Sequence, residues 1–262
     1  MQSLYKLLAD LENKGELFAL CTIINSQGST PRHIGSKMVV FPDKKILGSV
    51  GGGETENRVI QIAVNSMNSG KPEILHYDLV DLADGDPGVC GGQVDVFIEP
   101  FGAKPTVLII GAGHVGKAVS YLAKWMGYKI IMSDDRPDLC TVENNPYAVE
   151  FCISPPEDIT KLIHITTNTF VIFTTRSLDI DVAALPSILS SAAPYIGVIG
   201  SKRRWELAKT SLIQSGISKE VFNRIKSPIG LDIKAETPEE IAISIMGEII
   251  LSRNVSVNDI SV

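Results

Sequence analysis

The sequence predicts an α/β protein: a mixed α/β domain over residues 1–103 followed by a parallel, doubly wound sheet over residues 104–262. Three observations predict it. Beyond residue 104 apolar strand-length runs alternate with amphipathic helical segments, the rhythm of a parallel sheet whose strands are joined by helices. A glycine-rich turn links the first of these strands to its helix. Before residue 104 the apolar runs are short, separated by turn residues, and interrupted by a single helical stretch.

The elements follow in order. Leu4, Leu7, Leu8 and Leu11 share one face of a first helix. "LFALCTII", "KMVVF" and "KILGSV" read as strands. Val59, Ile62, Ala63, Ser66 and Met67 then recur at helical spacing, and "EILHYDL" and "QVDVFIEPF" return to strand. "PFGAKP", Pro100 to Pro105, reads as a linker, because two prolines and a glycine resist both helix and strand. In the second half "TVLIIG", "YKIIMSDD", "TFVIFTT" and "YIGVIGS" are strands. "HVGKAVSYLAKWMG", "DIDVAALPSILSS" and "KRRWELAKTSLIQSG" are helices. A last helix opens at "TPEE", with Thr237 as N-cap, Pro238 at the first helical position and Glu240 closing a capping box. There is no internal repeat and no low-complexity tract.

Composition narrows the function. Apolar residues make up 44% of 262, enough to bury a core. Thirty acidic residues stand against 24 basic ones, which excludes the broad basic footprint of a duplex nucleic-acid binder and favours small molecules or protein partners. The amino terminus lacks the basic and apolar regions of a signal peptide, and no stretch reaches the length of a membrane span, so a cytoplasmic chain without membrane attachment is expected. Cys21, Cys90, Cys140 and Cys152 form no CxxC pair and no zinc spacing with histidine, so no disulfide framework is expected.

"VLIIGAGHVGKAV" carries GxGxxG at Gly111, Gly113 and Gly116 between a strand and a helix that His114 opens, with Asp134 at the end of the next strand. The first glycine serves the tight turn, the second lets a pyrophosphate approach the backbone, and the third brings helix against strand. Free amides at the helix start favour the anion. The second domain is therefore expected to be Rossmann-like. Asp134 suits a ribose hydroxyl and Arg136 a 2′-phosphate, which leaves NAD and NADP both open. Gly111, Gly116 and Lys117 nearly spell a phosphate loop, but Ala118 stands where a serine or threonine would meet magnesium, so a nucleotide triphosphatase is rejected. In "GSKRRWE", Ser201, Lys202, Arg203 and Arg204 put three cations into a first helical turn, where the dipole favours anions. An anionic ligand there would remove the conflict; a solvated basic face is the alternative.

"GSVGGGETENRVI" sets Gly51, Gly52 and Gly53 before a helix, a sacrifice of packing and backbone entropy that an unusual turn or a close ligand would offset. A second glycine turn, "GVCGGQV", places Cys90 before Gly91 and Gly92.

Taken together, "GSTPRHIGSKMVV", "GSVGGGETE", "VCGGQVDVFIEP", "IIGAGHVGKAV", "SDDRPD", "YIGVIGSKRRWE" and "PIGLDIKAETPEEIAISIMGEI" resemble the xanthine dehydrogenase maturation family of XdhC/CoxI type, in family order and over nearly the whole chain. The resemblance implies an N-terminal cofactor-handling domain joined to a Rossmann-like one. It also implies binding, protection and delivery of molybdenum cofactor, a molybdopterin in simple or dinucleotide form, with support of its sulfuration. An apo molybdenum hydroxylase is then the partner, a cysteine desulfurase a second one, and a homodimer the expected assembly. Such proteins are accessory factors without an established turnover reaction. On this reading Gly52 and Gly53 face the pterin or metal end. Cys90, beside Gly91, offers a soft thiolate to the molybdenum of the bound cofactor. Arg32 suits a phosphate or pterin carbonyl and Glu56 the pterin nitrogens, each being equally readable as half of a structural ion pair.

Two departures from the family pattern stand out: Glu54 occupies the place of a cysteine found in many members, and Thr175, Arg176, Ser177 and Leu178 replace a THDH segment, although Asp181 matches the acid that follows. An NAD(P)-dependent oxidoreductase and a dinucleotide-sensing module are the alternatives. The first lacks a Tyr-x-x-x-Lys pair or other recognisable relay, and the second leaves the N-terminal glycine turns without a purpose.

Overall fold

The computed structural model describes residues 4–78 and 92–258, with 255–258 as backbone only. The chain folds into two compact units, Met1–Ala103 and Lys104–Val262.

The first unit opens with α1 (Leu4–Asn13) and builds an antiparallel sheet of β1 (Phe18–Gln27), β2 (Lys37–Val40), β3 (Ile46–Gly48), β4 (Glu73–Asp78) and β5 (Gln93–Phe101), in the order β3-β2-β1-β5-β4. Helix α2 (Gly53–Ser69) covers one face, burying Thr55, Val59, Ala63, Ser66 and Met67. Their spacing is helical, and the core they meet is Cys21, Ile23, Met38, Val40, Val96 and Ile98, alternate residues of three strands. Gly70, at φ 68°, ends α2 by donating its N–H to the Ser66 carbonyl, the left-handed cap that glycine makes without strain.

The linker expected at Pro100 begins later than its composition suggests. Pro100 and Phe101 belong to β5, paired with Ala19 and Phe18 of β1. β4 stops pairing at Ile98, so Pro100 removes no ladder bond on that flank, and the Phe101 ring stacks on Phe18 with centroids 4.9 Å apart.

The second unit contains β6 (Thr106–Ile110), α3 (His114–Trp125), β7 (Lys129–Ser133), β8 (Glu150–Cys152), α4 (Ile159–Leu162), β9 (Thr169–Phe173), α5 (Leu178–Leu189), β10 (Tyr195–Val198), α6 (Lys202–Gln214), β11 (Ile225–Lys226) and α7 (Pro238–Asn258). Its sheet is parallel, in the order β11-β10-β9-β6-β7-β8. Counted from β6 this is the 3-2-1-4-5-6 arrangement of the Rossmann fold read from the β8 edge, and the direction of winding reverses between β6 and β9.

Both faces of the sheet are covered, which is why β9 and β10 are buried at every position and contain no alternation. Leu108, Ile110, Phe173 and Val198 meet Leu185, Ile188 and Leu212 of α5 and α6. Val107, Ile109, Met132 and Ile172 meet Val119, Ala123, Ile245 and Ile249 of α3 and α7. The start of α7 carries the reciprocal cap that its residues specify: Glu240 N–H donates to Thr237 Oγ1 (3.2 Å) while the Glu240 carboxylate accepts from the Thr237 N–H (3.1 Å). Among the described residues no helix is long and apolar enough to cross a membrane.

Candidate functional site

The glycine loop lies at the carboxyl end of β6, beside the reversal of winding. Gly111 sits at φ 114°, donates its N–H to the Ser133 carbonyl (2.7 Å) and accepts Thr174 Oγ1 (2.7 Å). A Cβ there would fall 2.6 Å from the Thr174 carbonyl carbon, and one on Gly116 would overlap the Gly111 carbonyl oxygen. These two glycines are taken up by the turn and by the helix–strand contact. Gly113 is different. It is the N-cap of α3, with φ −76° and ψ −166°, no side chain caps the helix, and a Cβ built on it meets nothing within 4 Å. The first amides of α3 are therefore uncapped next to open space, with exposed His114 as the helix's first residue.

Asp134 is committed to the chain itself. Its Oδ2 accepts the Ala112 N–H (2.8 Å) and Arg136 Nη2 (2.9 Å), and its Oδ1 accepts the Arg136 N–H (3.1 Å) and Nε (2.8 Å). Arg176, from the segment that departs from the family pattern, forks onto Asp135 with two bonds of 2.8 Å and holds that carboxyl down to about 2. Asn145, fully buried, donates to the Leu139 carbonyl (2.8 Å) from the same side. The cleft between Gly111, Asp134, Asp135, Ser154 and Arg176 encloses only about 10 Å3, no more than a single water needs.

At the carboxyl end of β10 the three cations part company. Ser201 caps α6 by accepting the Arg204 N–H (3.2 Å), and Lys202 and Arg203 are exposed. Arg204 turns inward, its Nη2 donating to Asp181 Oδ2 (2.5 Å), Thr175 Oγ1 (3.0 Å) and the Ser177 carbonyl (3.0 Å). Thr175 Oγ1 in turn donates to Asp181 Oδ1. Burial pushes the Asp181 carboxyl up, and the bonds from Thr175 and Arg204 pull it back. Arg204 and Asp181 thus form a buried pair that resolves part of the cation conflict without a ligand.

In the first unit Gly51, Gly52 and Gly53 have φ of 149°, 85° and 60°, all in territory that side chains avoid. The three glycines before α2 are a backbone requirement. A Cβ on Gly51 would lie 3.3 Å from Pro31 Cγ, and one on Gly92 would lie 2.5 Å from the Ser29 carbonyl oxygen. The "GSTPR" loop, the triple-glycine loop and the end of the second glycine turn therefore converge. Gly52, the N-cap of α2, faces open space. Glu56 Oε1 braces this loop, accepting Ser49 Oγ (2.6 Å) and the Val50 N–H (3.2 Å). The exposed Arg32 has no side-chain partner among the described residues. Cys90 and Gly91 lie outside the described residues. His76 bonds Asp95 (2.7 Å) at the sheet surface, and among the described residues no three His, Cys, Asp or Glu side chains gather as a metal site.

Burial pushes the Cys21 thiol up to about 12 and the Cys140 thiol to about 11. At pH 8 a thiol of that kind is thiolate in roughly one molecule in a thousand or fewer. Native-state iodoacetamide treatment at pH 8 followed by peptide mass mapping should find Cys21 and Cys140 unmodified. Alkylation of either at the rate of a free thiol would contradict the burial.

A unit with a parallel sheet in Rossmann order and an open glycine loop, and another unit with an antiparallel sheet and converging glycine turns, make up a two-unit chain of XdhC type. Residues 107–249 match the XdhC Rossmann domain and residues 11–78 match the XdhC and CoxI family. The chain belongs to the XdhC family.

Among curated proteins it is 32% identical over 248 residues to YqeB of Escherichia coli (strain K12), covering 94% of this chain and 45% of that one. It is 31% identical over 159 residues to a probable xanthine dehydrogenase subunit of Bacillus subtilis (strain 168), covering 61% and 46%. The molybdenum cofactor insertion chaperone PaoD of E. coli (strain K12) is 22% identical over 290 residues, covering 90% and 83%. The chain spans about half the length of the first two. In fold it resembles the crystal structure of a xanthine dehydrogenase from Bacillus halodurans, with a TM-score of 0.53 at 23% identity over 97% of this chain and 96% of that one.

Proposed function

We propose that this chain is a maturation factor for a molybdenum hydroxylase of xanthine dehydrogenase type. It binds molybdenum cofactor, shields it, supports its sulfuration and delivers it to the apo-enzyme, acting by binding and transfer, without turnover of its own. The similarity to PaoD and to the B. subtilis protein supports this reading. The observation that carries it is the convergence of the loops around Pro31, Gly51 and Gly92, which leaves Gly52 open and Arg32 without a partner among the described residues.

Those groups fit the cofactor. The Arg32 guanidinium, without a side-chain partner among the described residues, is a donor for a phosphate or carbonyl of the pterin, and positive-φ glycines let a flat ring approach the backbone at the start of α2, where Glu54 and Glu56 disfavour a phosphate. Arg32, Gly52 and Gly53 would hold the pterin, Glu56 would keep one oxygen for a ring nitrogen while bracing the loop, and Cys90 beside Gly91 would offer its thiolate to the molybdenum. The cofactor supplies the metal centre that the hydroxylase needs; this chain orients it and keeps water and oxidants away. The glycine loop at Gly111, Gly113 and Gly116 would hold the pyrophosphate of a dinucleotide form of the cofactor or of NAD(P), with His114, Asp134, Arg136, Ser201, Lys202 and Arg203 around it. The expected setting is the cytoplasm, with a homodimer meeting an apo-hydroxylase and a cysteine desulfurase.

The test compares wild type, Cys90→Ala and Cys140→Ala purified from cells with an intact cofactor pathway. Oxidised pterin fluorescence reports retention, and activation of an apo-hydroxylase reports delivery. Wild type and Cys140→Ala should carry pterin, with Cys90→Ala reduced about tenfold or more, the scale on which perturbing a metal site lowers affinity. Pterin-free wild type, or purine oxidation by the chain without a partner, would overturn the reading. Equal retention by the two variants would remove Cys90 from the site.

A further inference from the structure

We infer that the second unit holds a nucleoside diphosphate group from one side only. The diphosphate sits on the loop at Gly111–Gly113, and the nucleoside lies in the groove at the carboxyl end of β10, away from the cleft beside Asp134. This rests on the reading of the glycine loop as a pyrophosphate site and gives it a direction.

Open doubly wound sheets bind ligands outside the carboxyl ends of their strands, where the winding reverses. Here that point lies between β6 and β9, and a ligand anchored there has two ways to run. Toward β7 the cleft beside Asp134 is narrow. All of the Asp134 carboxylate's near neighbours are the chain's own donors, the Arg176–Asp135 fork stands beside it, and the space left is about 10 Å3. An acid held in this manner has little acceptor capacity left for a ribose hydroxyl.

Toward β10 the way is open. A groove of about 610 Å3, within the range of small-ligand sites, runs between the end of β10, the first turns of α7 and the segment 228–235. A relay of contacts links its edge at Gly200 to the glycine loop. Thr174 Oγ1 bonds the Gly111 carbonyl, Arg204 bonds Thr175 next to it, and a Cβ on Gly200 would fall 2.9 Å from Arg204 Cδ. Neighbouring strands are about 4.8 Å apart, so the ends of β6 and β10 are separated by roughly 10 Å, a span that a diphosphate and a ribose cover.

The walls suit that group. Ile229, Leu231 and Ile241 offer apolar surface for a base. Lys202, in the first turn of α6, has no carboxylate within salt-bridge distance among the described residues, whereas Lys234 is paired with Asp232 at 2.9 Å. Asp232 lies in the field of both lysines, so two cations and one acid line the groove and leave it a net positive charge beside the first turn of α6, which favours a phosphate. The outer wall is firmly held. Glu248 Oε2 accepts both the Gly230 N–H (2.8 Å) and the Tyr195 hydroxyl, and Ser244 Oγ donates to the Leu231 carbonyl (2.6 Å). Gly230, at φ 94°, has its missing Cβ position filled by Ser244 Oγ. The motif "PIGLDIK", to which the proposed function assigns no part, is thereby given one: it is the wall of a nucleoside groove. Whatever is attached to the other end of the diphosphate is left unheld by this side of the second unit, as handing over a cargo requires.

Calorimetric titration of the whole chain with ADP, CDP and inorganic pyrophosphate tests this, using wild type, Leu231→Ala, Lys202→Ala and Asp135→Asn, each checked for folding by circular dichroism. Leu231→Ala should weaken ADP and CDP at least fivefold and leave pyrophosphate within twofold. Lys202→Ala, an exposed change that leaves the fold alone, should weaken all three about tenfold. Asp135→Asn, on the narrow side, should change none of them by more than twofold. Nucleotide binding that ignores both groove variants, binding that is lost in Asp135→Asn, or no binding of any probe to wild type would overturn the inference. Pterin retention by the same preparations separates the two readings. Groove-dependent nucleotide binding without pterin defeats the maturation reading alone, and pterin retention without groove-dependent nucleotide binding defeats this inference alone.

Discussion

Arg204→Met should lower the stability of the chain by about 3–5 kcal/mol, the range for removing one partner of a buried ion pair. The Asp181 side chain is 1% exposed and that of Arg204 25%, so the carboxylate has no water to turn to when the guanidinium is gone. Thr175 Oγ1 remains as a donor, but one hydroxyl does not replace a charge. The sign with pH follows from the cause. Burial raises the Asp181 carboxyl, and Arg204 is among the groups that bring it down. A carboxyl raised in the folded state favours folding while protonated, and that advantage disappears as pH rises through the folded value. Without Arg204 the value climbs further, so the deficit of the variant should be largest where Asp181 is ionised and should shrink as pH falls and the carboxylate takes up a proton. Urea unfolding of wild type and variant between pH 5 and 8 measures this. Adding Asp181→Asn to the Met variant should restore most of the loss, because it removes the stranded charge. A deficit under about 1 kcal/mol, or one that does not change with pH, would show that the pair contributes little.

That pair also marks where the sequence stops being legible. The doubly wound sheet is readable because its signals are local: "TVLIIG" and "TFVIFTT" are strand-length apolar runs, and Thr237, Pro238 and Glu240 write a cap within four positions. Gly111, Gly113 and Gly116 are readable because turn, approach and packing each need a glycine at a fixed offset. The fates of the charges are not. In the sequence Arg204 is one of three equivalent cations at a helix start. Only the folding of α5 beside α6 brings it to Asp181, an acid that the sequence matches to the family pattern without naming its partner. Asp134 has the place of a ribose acceptor, and the sequence does not reveal that Ala112 and Arg136 occupy its oxygens. Glu56 is readable as a pterin contact or a structural partner, and the structure shows one oxygen bracing Ser49 and Val50. In each case residue type and spacing limit what a group is able to do, while tertiary contact decides which partner it finds. Arg176 gives the same lesson. The sequence shows Arg176 only as a departure from an expected segment, and the structure shows its fork onto Asp135 beside the glycine loop.

Gly113→Val and Gly116→Ala should separate the ligand function of the glycine loop from its structural one. The larger side chain should do the smaller harm to folding. Gly113 has φ −76° and ψ −166°, an extended conformation that valine adopts readily, and nothing lies within 4 Å of its Cβ position. Its stability should stay within about 1 kcal/mol of wild type, helped by the smaller backbone entropy of the unfolded chain. A single methyl on Gly116 would instead overlap the carbonyl oxygen of Gly111, a backbone atom held in place by Thr174 Oγ1 at 2.7 Å. Relief requires α3 to lift from β6 or the turn to break, which should cost about 3 kcal/mol, the upper part of the range for overpacking a tight contact. Ligand binding should rank the variants differently. Valine at 113 would fill the open space through which an anion reaches the first amides of α3, so pyrophosphate binding should fall at least tenfold in a protein that melts like wild type. Thermal unfolding and pyrophosphate titration of both variants supply the two readings. A Gly113→Val protein that binds pyrophosphate as wild type does would show that the anion never approaches this turn, whereas a Gly116→Ala protein of wild-type stability would show that α3 and β6 are not in the tight contact described.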